Sequence, residues 1–190
     1  FVFENKIQKI IYASSSSVYS DKDGKKFNEK FTPLNPKSKY GQSKVSNEIH
    51  SSKLAKITDI RFIGLRFFSV YGPYGRPDMA YYLFTEALKN NKEITLNNNG
   101  LMARDMTYID DIVDGIIASI ELLVSGKQAS ENEIINLGND NPISALTLLQ
   151  TLENKLSLKS KIIHKETTTE ALYTHADLAK AKEMLRYNPK

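Results

Sequence analysis

The chain has 190 residues, of which 41% are hydrophobic and 25% charged, with a formal net charge of +4. Such a length and make-up fit one sizeable globular domain, or one domain and part of a second. With no cysteine, disulfides, thiolate catalysis and zinc–thiolate sites are excluded, and no run approaches the ~18 consecutive apolar residues of a membrane span.

The chain opens at Phe1-Val2-Phe3, without Met and without a secretory signal, and runs directly into strand-like sequence, as the middle of a protein does. Lys9-Ile10-Ile11-Tyr12-Ala13 is a short apolar run that stops in four serines and reads as a buried parallel strand feeding a polar loop. Residues 20–36, with Asp23-Gly24 and two prolines, read as a surface excursion. A helical period covers about 37–56, and Ile60 to Phe68 reads as the next strand, followed by a Gly/Pro-rich loop from Phe68 to Pro77. Residues 79–90 read as helix, 94–96 as a short strand, 106–108 as another, and 109–124 as an amphipathic helix. Glu133 to Leu137 is a strand ended by Gly138, and Ser144 is a fitting N-cap for a helix running to Leu156. A short strand at Ile162-Ile163 and a helix over 177–185 complete the chain.

Strands alternating with helices of this length predict an α/β fold with a mostly parallel sheet. Such sheets bind ligands beyond the carboxyl ends of their strands. The serine run and the loop after Phe68 both occupy such ends. Elsewhere the lysines are scattered along the chain, so no nucleic-acid partner is expected. His50, His164 and His175 lie far apart and show no metal-ligand spacing. The expected compartment is the cytoplasm.

Tyr40-Gly41-Gln42-Ser43-Lys44 is the strongest local signal of chemistry. Tyrosine and lysine at i and i+4 share one helix face. A free phenol, with a pKa of about 10, is a poor base at neutral pH; a neighbouring ammonium and a cationic nicotinamide ring favour the phenolate. Such a tyrosine can take a proton from a sugar hydroxyl while hydride leaves the same carbon. Tyr-x-x-x-Lys alone also describes many surface pairs. Ser14-Ser15-Ser16-Ser17, ending a strand upstream, adds hydroxyls able to bond the alkoxide or ketone oxygen that the tyrosine serves.

Five blocks occur in order: Ala13 to Tyr19, Tyr40 to Lys44, Leu65 to Pro73, Arg76 to Ala80 and Arg104 to Asp111. Together they resemble the NAD-dependent epimerase/dehydratase family of extended short-chain dehydrogenases, and within it the UDP-glucuronate 4-epimerases. The resemblance covers essentially the whole chain. It implies the C-terminal part of a Rossmann-type parallel sheet with an interleaved smaller α/β substrate-binding domain. The division expected is 1–68 with 106–137 for the NAD-binding part, and 69–105 with 138–190 for the nucleotide-sugar part. It implies Tyr40 as acid and base, Lys44 as its electrostatic partner and a ribose ligand of NAD, and Ser15 as the hydroxyl that bonds the reacting oxygen. Phe68 would line the nicotinamide pocket, with Ser14 also beside the cofactor. Ser16, Ser17, Ser69, Arg76, Thr95, Asn97 and Arg104 would contact the UDP-sugar, Arg76 facing the sugar carboxylate and Arg104 the phosphates. A homodimer through the 37–57 helix is implied as well.

Within the resemblance, the serine run selects the reaction. Dehydratases need a carboxylic acid at this strand end, and decarboxylases usually carry a Glu just before the Val-Tyr; here Ser17 precedes Val18-Tyr19. Epimerisation of UDP-glucuronate to UDP-galacturonate through a 4-keto intermediate is the best fit. Another nucleotide-sugar epimerase, decarboxylase or dehydratase, or an inactive binding or dimerisation fragment, are the alternatives. Three features depart from the pattern: Ser20 stands where Gly normally follows Val-Tyr, Glu170 where an Asp is common, and Arg186 where Leu-Gly-Tyr is usual. The nine glycines include no Gly-x-x-Gly-x-x-Gly turn. The expectation is therefore a partial chain lacking about 100 residues, at ~30 per βαβ unit, inactive and poorly stable alone.

Overall fold

The computed structural model describes residues 2–19, 25–31, 34–128, 130–167 and 172–190. Ser20, the Asp23-Gly24 turn and Glu170 lie outside them. In chain order the elements are β1 (Lys9–Ser15), α1 (Lys39–Ile57), β2 (Arg61–Phe67), β3 (Ser69–Tyr71), α2 (Ala80–Lys89), β4 (Glu93–Asn97), β5 (Ala103–Tyr108), α3 (Ile109–Ser125), β6 (Asn132–Leu137), β7 (Pro142–Ser144), α4 (Ala145–Leu156), β8 (Lys161–Lys165) and α5 (Ala179–Leu185).

β1, β2 and β6 form a parallel sheet in that order, with Ala13 opposite Leu65 and Leu65 opposite Ile135. The central strand β2 is buried along five consecutive residues, because helices cover both of its faces. Ile63 and Leu65 join one core with Ile112, Leu123, Leu185 and Tyr187, beneath α3 and α5. Phe62 turns the other way to meet Ala55 of α1. This follows from the two-residue alternation of a strand. Each fully buried Ile or Leu in the first core contributes roughly 1.5–3 kcal/mol relative to exposure.

A second core lies around the parallel pair β4–β8, with Phe84 and Leu88 from α2, Ile94 and Leu96 from β4, and Leu149 from α4. Between the two regions runs a small sheet in which β5 pairs with β3 in parallel and β7 in antiparallel sense. Ser144 caps α4 as expected, accepting from the Thr147 N–H at 3.0 Å.

The α/β class and the parallel sheet agree with the sequence. Three details differ. Ser69–Tyr71, expected as loop, is a strand; β5 starts at Ala103 rather than 106; and Pro142–Ser144 forms an edge strand. Three-residue strands are too short to carry an alternating pattern, and the charges of Arg104 and Asp105 conceal the first half of β5.

The strand β1 ends the sheet on one side, and its burial is partial, with Lys9 and Ala13 exposed. On α3, Val113, Ile117, Ile120 and Val124 form an exposed apolar stripe at helical spacing. No helix among the described residues is long and apolar enough to cross a membrane, and no cluster of three metal-ligating side chains occurs among them.

Candidate active site

The carboxyl end of β1 turns through a single 3-10 turn at Ser16–Val18. Ser15, 7% exposed, caps that turn, its Oγ accepting the Ser17 N–H at 3.1 Å. The Ser15 hydroxyl proton is left for another acceptor. Ser16 and Ser17 are half-buried on the turn. Ser14, one residue earlier, points to the opposite face. Its hydroxyl is buried and donates to Glu48 Oε1 at 2.5 Å.

Facing this turn is the start of α1, capped by Ser38, whose Oγ accepts the Gly41 N–H at 2.9 Å. Helix and turn touch at Gly41, where a Cβ would fall 2.4 Å from the Ser17 carbonyl oxygen and 2.8 Å from Pro36 Cβ. Glycine is thus required by close approach. Tyr40, one residue before this contact, is 55% exposed. One turn on, Lys44 lies with its Nζ 5.4 Å from the Tyr40 ring centroid and donates to the Ala13 carbonyl at 2.9 Å. An ammonium has three donors, so two remain for a ligand.

Arg76 follows the loop after β3. Its Nε and Nη2 bond both oxygens of Asp78, at 3.0 and 2.5 Å, and both side chains are exposed. Its pKa is raised by the Asp78 hydrogen bonds first, and Tyr40 and Tyr81 add to the effect. The same loop is fixed by Tyr81, whose hydroxyl lies so close to Gly75 that a Cβ there would sit 2.0 Å from it.

Register explains the next two residues. Phe67 lies opposite Ser15, so Phe68 and Ser69 emerge at the same sheet end as the serine run. Phe68 is buried and packs between Tyr19 and Phe27, with centroids 6.4 and 6.3 Å away. Ser69 is half-buried. Thr95, exposed, and Asn97, half-buried, lie on β4 with the second core. Arg104 is half-buried on β5, with its Nη1 donating to the Ala103 carbonyl at 3.0 Å. Lys44 and Gly41 thus tie the start of α1, which carries Tyr40, to the serine-bearing end of β1.

Two polar groupings escape a reading of motifs. Beneath α1, Glu48 accepts from Arg66 Nε at 2.8 Å and from Nη2 at 2.7 Å, both side chains being buried. Arg66 Nη1 donates to the Tyr19 hydroxyl at 2.7 Å, which donates to Asn136 Oδ1 at 2.8 Å. Burial works against the Arg66 charge, but the bonds from Glu48 and Tyr19 outweigh it and raise its pKa. An arginine inside the buried stretch of β2 was the available signal. Asp105 is the second: fully buried, it accepts the N–H groups of Asn139, Asp140 and Ala176 at 2.7, 3.2 and 2.8 Å. Desolvation raises its pKa despite those bonds.

A groove of about 950 Å³ runs along the far side of the sheet, between β6 and α5, lined by Glu29, Lys30, Asn132, Lys180 and Met184 among others. It holds none of the groups just described. The hydroxyl, phenol and ammonium groups lie instead where the end of β1 meets the start of α1.

Parallel sheet, serine-capped strand end and Tyr–Lys helix together define an α/β protein of the Rossmann type. The family model for the NAD dependent epimerase/dehydratase family matches residues 1–138, and the chain belongs to that family. UDP-glucuronate 4-epimerase 4 of Arabidopsis thaliana is 38% identical over 192 aligned residues, covering 95% of this chain and 44% of the relative. An uncharacterized protein of Methanocaldococcus jannaschii is 42% identical over 185 residues, covering 97% and 55%. Among solved structures, UDP-glucuronic acid 4-epimerase from Bacillus cereus in complex with UDP-glucuronic acid and NAD superimposes with a TM-score of 0.87 at 35% identity, covering 96% of this chain and 56% of that one. The chain thus spans about half the length of the relatives it matches.

Proposed function

We propose that the parent protein is an NAD-dependent 4-epimerase of UDP-sugars, acting on UDP-glucuronate to give UDP-galacturonate. The observation that carries this reading is the docking of the Tyr40–Lys44 helix start on the strand end that bears Ser15, with Lys44 tied to Ala13 and Gly41 against Ser17. The similarity to UDP-glucuronate 4-epimerases supports the substrate class.

NAD fits the residues present in part. Lys44 has two free ammonium donors beside an exposed phenol, which suits the ribose and nicotinamide end, whereas the sequence holds no glycine turn for the pyrophosphate. When bound, NAD supplies the acceptor and donor of a hydride. Lys44 would hold its ribose, with Phe68 behind the ring; Ser14, whose hydroxyl is spent on Glu48, would meet it through its backbone. Tyr40 would take the proton of the sugar 4-hydroxyl as the C4–O bond becomes a carbonyl, and return it when C4 is reduced from its other face. Ser15, with its proton free, donates to the reacting oxygen throughout. No carboxylate stands in the serine run to drive elimination.

Arg76 would exchange Asp78 for the sugar carboxylate, a planar anion that a guanidinium fork matches. Ser16, Ser17 and Ser69 would line the sugar, Arg104 the phosphates, and Thr95 with Asn97 the uridine. We read 69–105 with 138–190 as the nucleotide-sugar part, and α1 as a dimerisation helix on account of its exposed Ile49 and Ile57.

Incubating the full-length parent with NAD and UDP-glucuronate tests the reading by its product. UDP-galacturonate is expected. UDP-xylose would instead indicate a decarboxylase, and turnover of UDP-glucose alone a neutral-sugar epimerase.

A further inference from the structure

Most amphipathic helices dock through an apolar stripe. The catalytic helix α1 has none: the residues it buries are Gly41, Glu48, Ser51 and Ala55. Beside the packing of Ala55 and Leu54 with Ile10 and Tyr12, it makes polar contacts with three consecutive residues of β1. Ser51 Oγ meets the Tyr12 hydroxyl at 2.7 Å, Lys44 Nζ the Ala13 carbonyl at 2.9 Å, and Glu48 Oε1 the Ser14 hydroxyl at 2.5 Å. Apolar contact is non-directional and tolerates sliding, whereas hydrogen bonds weaken steeply with distance and angle. A helix held this way has one height and one rotation.

Glu48 is the centre of that ladder. It lies one turn beyond Lys44 and two beyond Tyr40, and bonds at once to Ser14 on β1 and, through both oxygens, to Arg66 on β2. Arg66 extends the chain of bonds to Tyr19, just after the serine turn, and on to Asn136 of β6. A buried ion pair contributes little net stability, because desolvation offsets its attraction. What it does supply is geometry.

We propose that Glu48, with Arg66, is a positioning residue for the reaction: it fixes the register of the Tyr40–Lys44 helix against the Ser14–Ser15 strand end, and so the distance between phenol, serine hydroxyl and reacting oxygen. The proposal rests on the reading of Tyr40, Lys44 and Ser15 given above. Glu48 touches neither substrate nor cofactor, so its removal should slow the chemical step while binding persists.

The test uses the full-length parent loaded with NAD. In Glu48→Gln, kcat for UDP-glucuronate should fall by about 10- to 100-fold, the scale of a misplacement of about 1 Å, while KM and the amount of bound NAD stay within about twofold. Breaking one half of a buried pair can unfold a protein, so the paired variant Glu48→Met with Arg66→Met keeps the question open to measurement. It replaces both charges by apolar side chains and should melt near the parent's midpoint with kcat still reduced and KM unchanged. Parental kcat in a folded variant overturns the proposal, as does a loss of activity that only tracks the loss of folded, NAD-loaded protein. Tyr40→Phe, assayed alongside, separates the two ideas: if it keeps its kcat, the reading of the Tyr–Lys pair fails and the positioning role falls with it.

Discussion

Lys44 places its ammonium 2.9 Å from the carbonyl oxygen of Ala13, on the strand rather than on its own helix. One bond therefore orients a cation beside Tyr40 and ties the helix to the serine-bearing strand end. In the full-length parent, Lys44→Met should lower kcat by about 10²-fold or more, the range of a lost acid–base group. Lys44→Arg should not restore it, since a planar guanidinium cannot stand in for a compact ammonium at one carbonyl. Initial rates of UDP-glucuronate conversion check both; a rate within twofold of the parent in Lys44→Met would remove the lysine from the mechanism.

Gly41 is the point where α1 and the serine turn meet. A methyl group there would lie 2.4 Å from the Ser17 backbone oxygen, which cannot swing aside as a flexible side chain can. Gly41→Ala should gain the helix preference of alanine yet still destabilise by about 1–3 kcal/mol from overpacking, and lower kcat by displacing Tyr40. Denaturant melts and steady-state kinetics on the same preparation provide the check, and an alanine variant as stable and active as the parent would show that the turn yields freely.

Asp140 supports a prediction about pH. Partial burial draws its pKa up, but bonds from Lys26 at 2.6 Å and His175 at 2.7 Å outweigh that and leave it below the ordinary carboxylate value. With the folded pKa depressed, the contribution is complete above the unfolded value of about 3.9 and is lost as pH falls through the folded one. Its backbone φ of 57° is one that asparagine also tolerates, so Asp140→Asn isolates the charge. At pH 7 the variant should be less stable by about 0.5–1 kcal/mol, as the partners are partly exposed. The gap in melting midpoint should close below about pH 4; a gap that widened in acid would contradict the assignment.

The exposed stripe of Val113, Ile117, Ile120 and Val124 lies on a helix that packs on β1, β2 and α5. It accompanies a sheet whose outer strand β1 is, among the described residues, paired on one side only. An apolar strip of this kind beside an open strand edge favours self-association. In the 190-residue chain, Ile117→Lys with Ile120→Lys should reduce aggregation, seen by light scattering. In a full-length parent the same pair should lower the melting midpoint instead if the strip is packed against other chain. Equal stability of parent and variant at full length would mean that nothing packs there.

Much of the site was legible because it rests on local spacing. Tyr40 and Lys44 share a face at four residues' separation on any helix, and the serine run ends its strand whatever the strand pairs with. Arg76 was legible only as a cation in a loop; its pairing with Asp78 needed the loop's conformation. Phe68 was assigned to a pocket wall only through the resemblance; its packing against Tyr19 and Phe27 needed the fold, because these aromatic residues are far apart in sequence.

By itself the sequence determined the alternation of strands and helices, the parallel sheet, and the identity of the hydroxyl, phenol and ammonium groups. All of these are set by period, caps and residue type over a few neighbouring positions. Tertiary structure decided how those groups stand relative to one another. Glu48 and Arg66 are 18 positions apart, and Asp105 and Ala176 are 71 apart, so no local pattern links them. Buried charges need partners in space rather than in sequence. Only the folded chain shows that polar contacts from Lys44, Glu48 and Ser51 join apolar packing in holding α1 to β1.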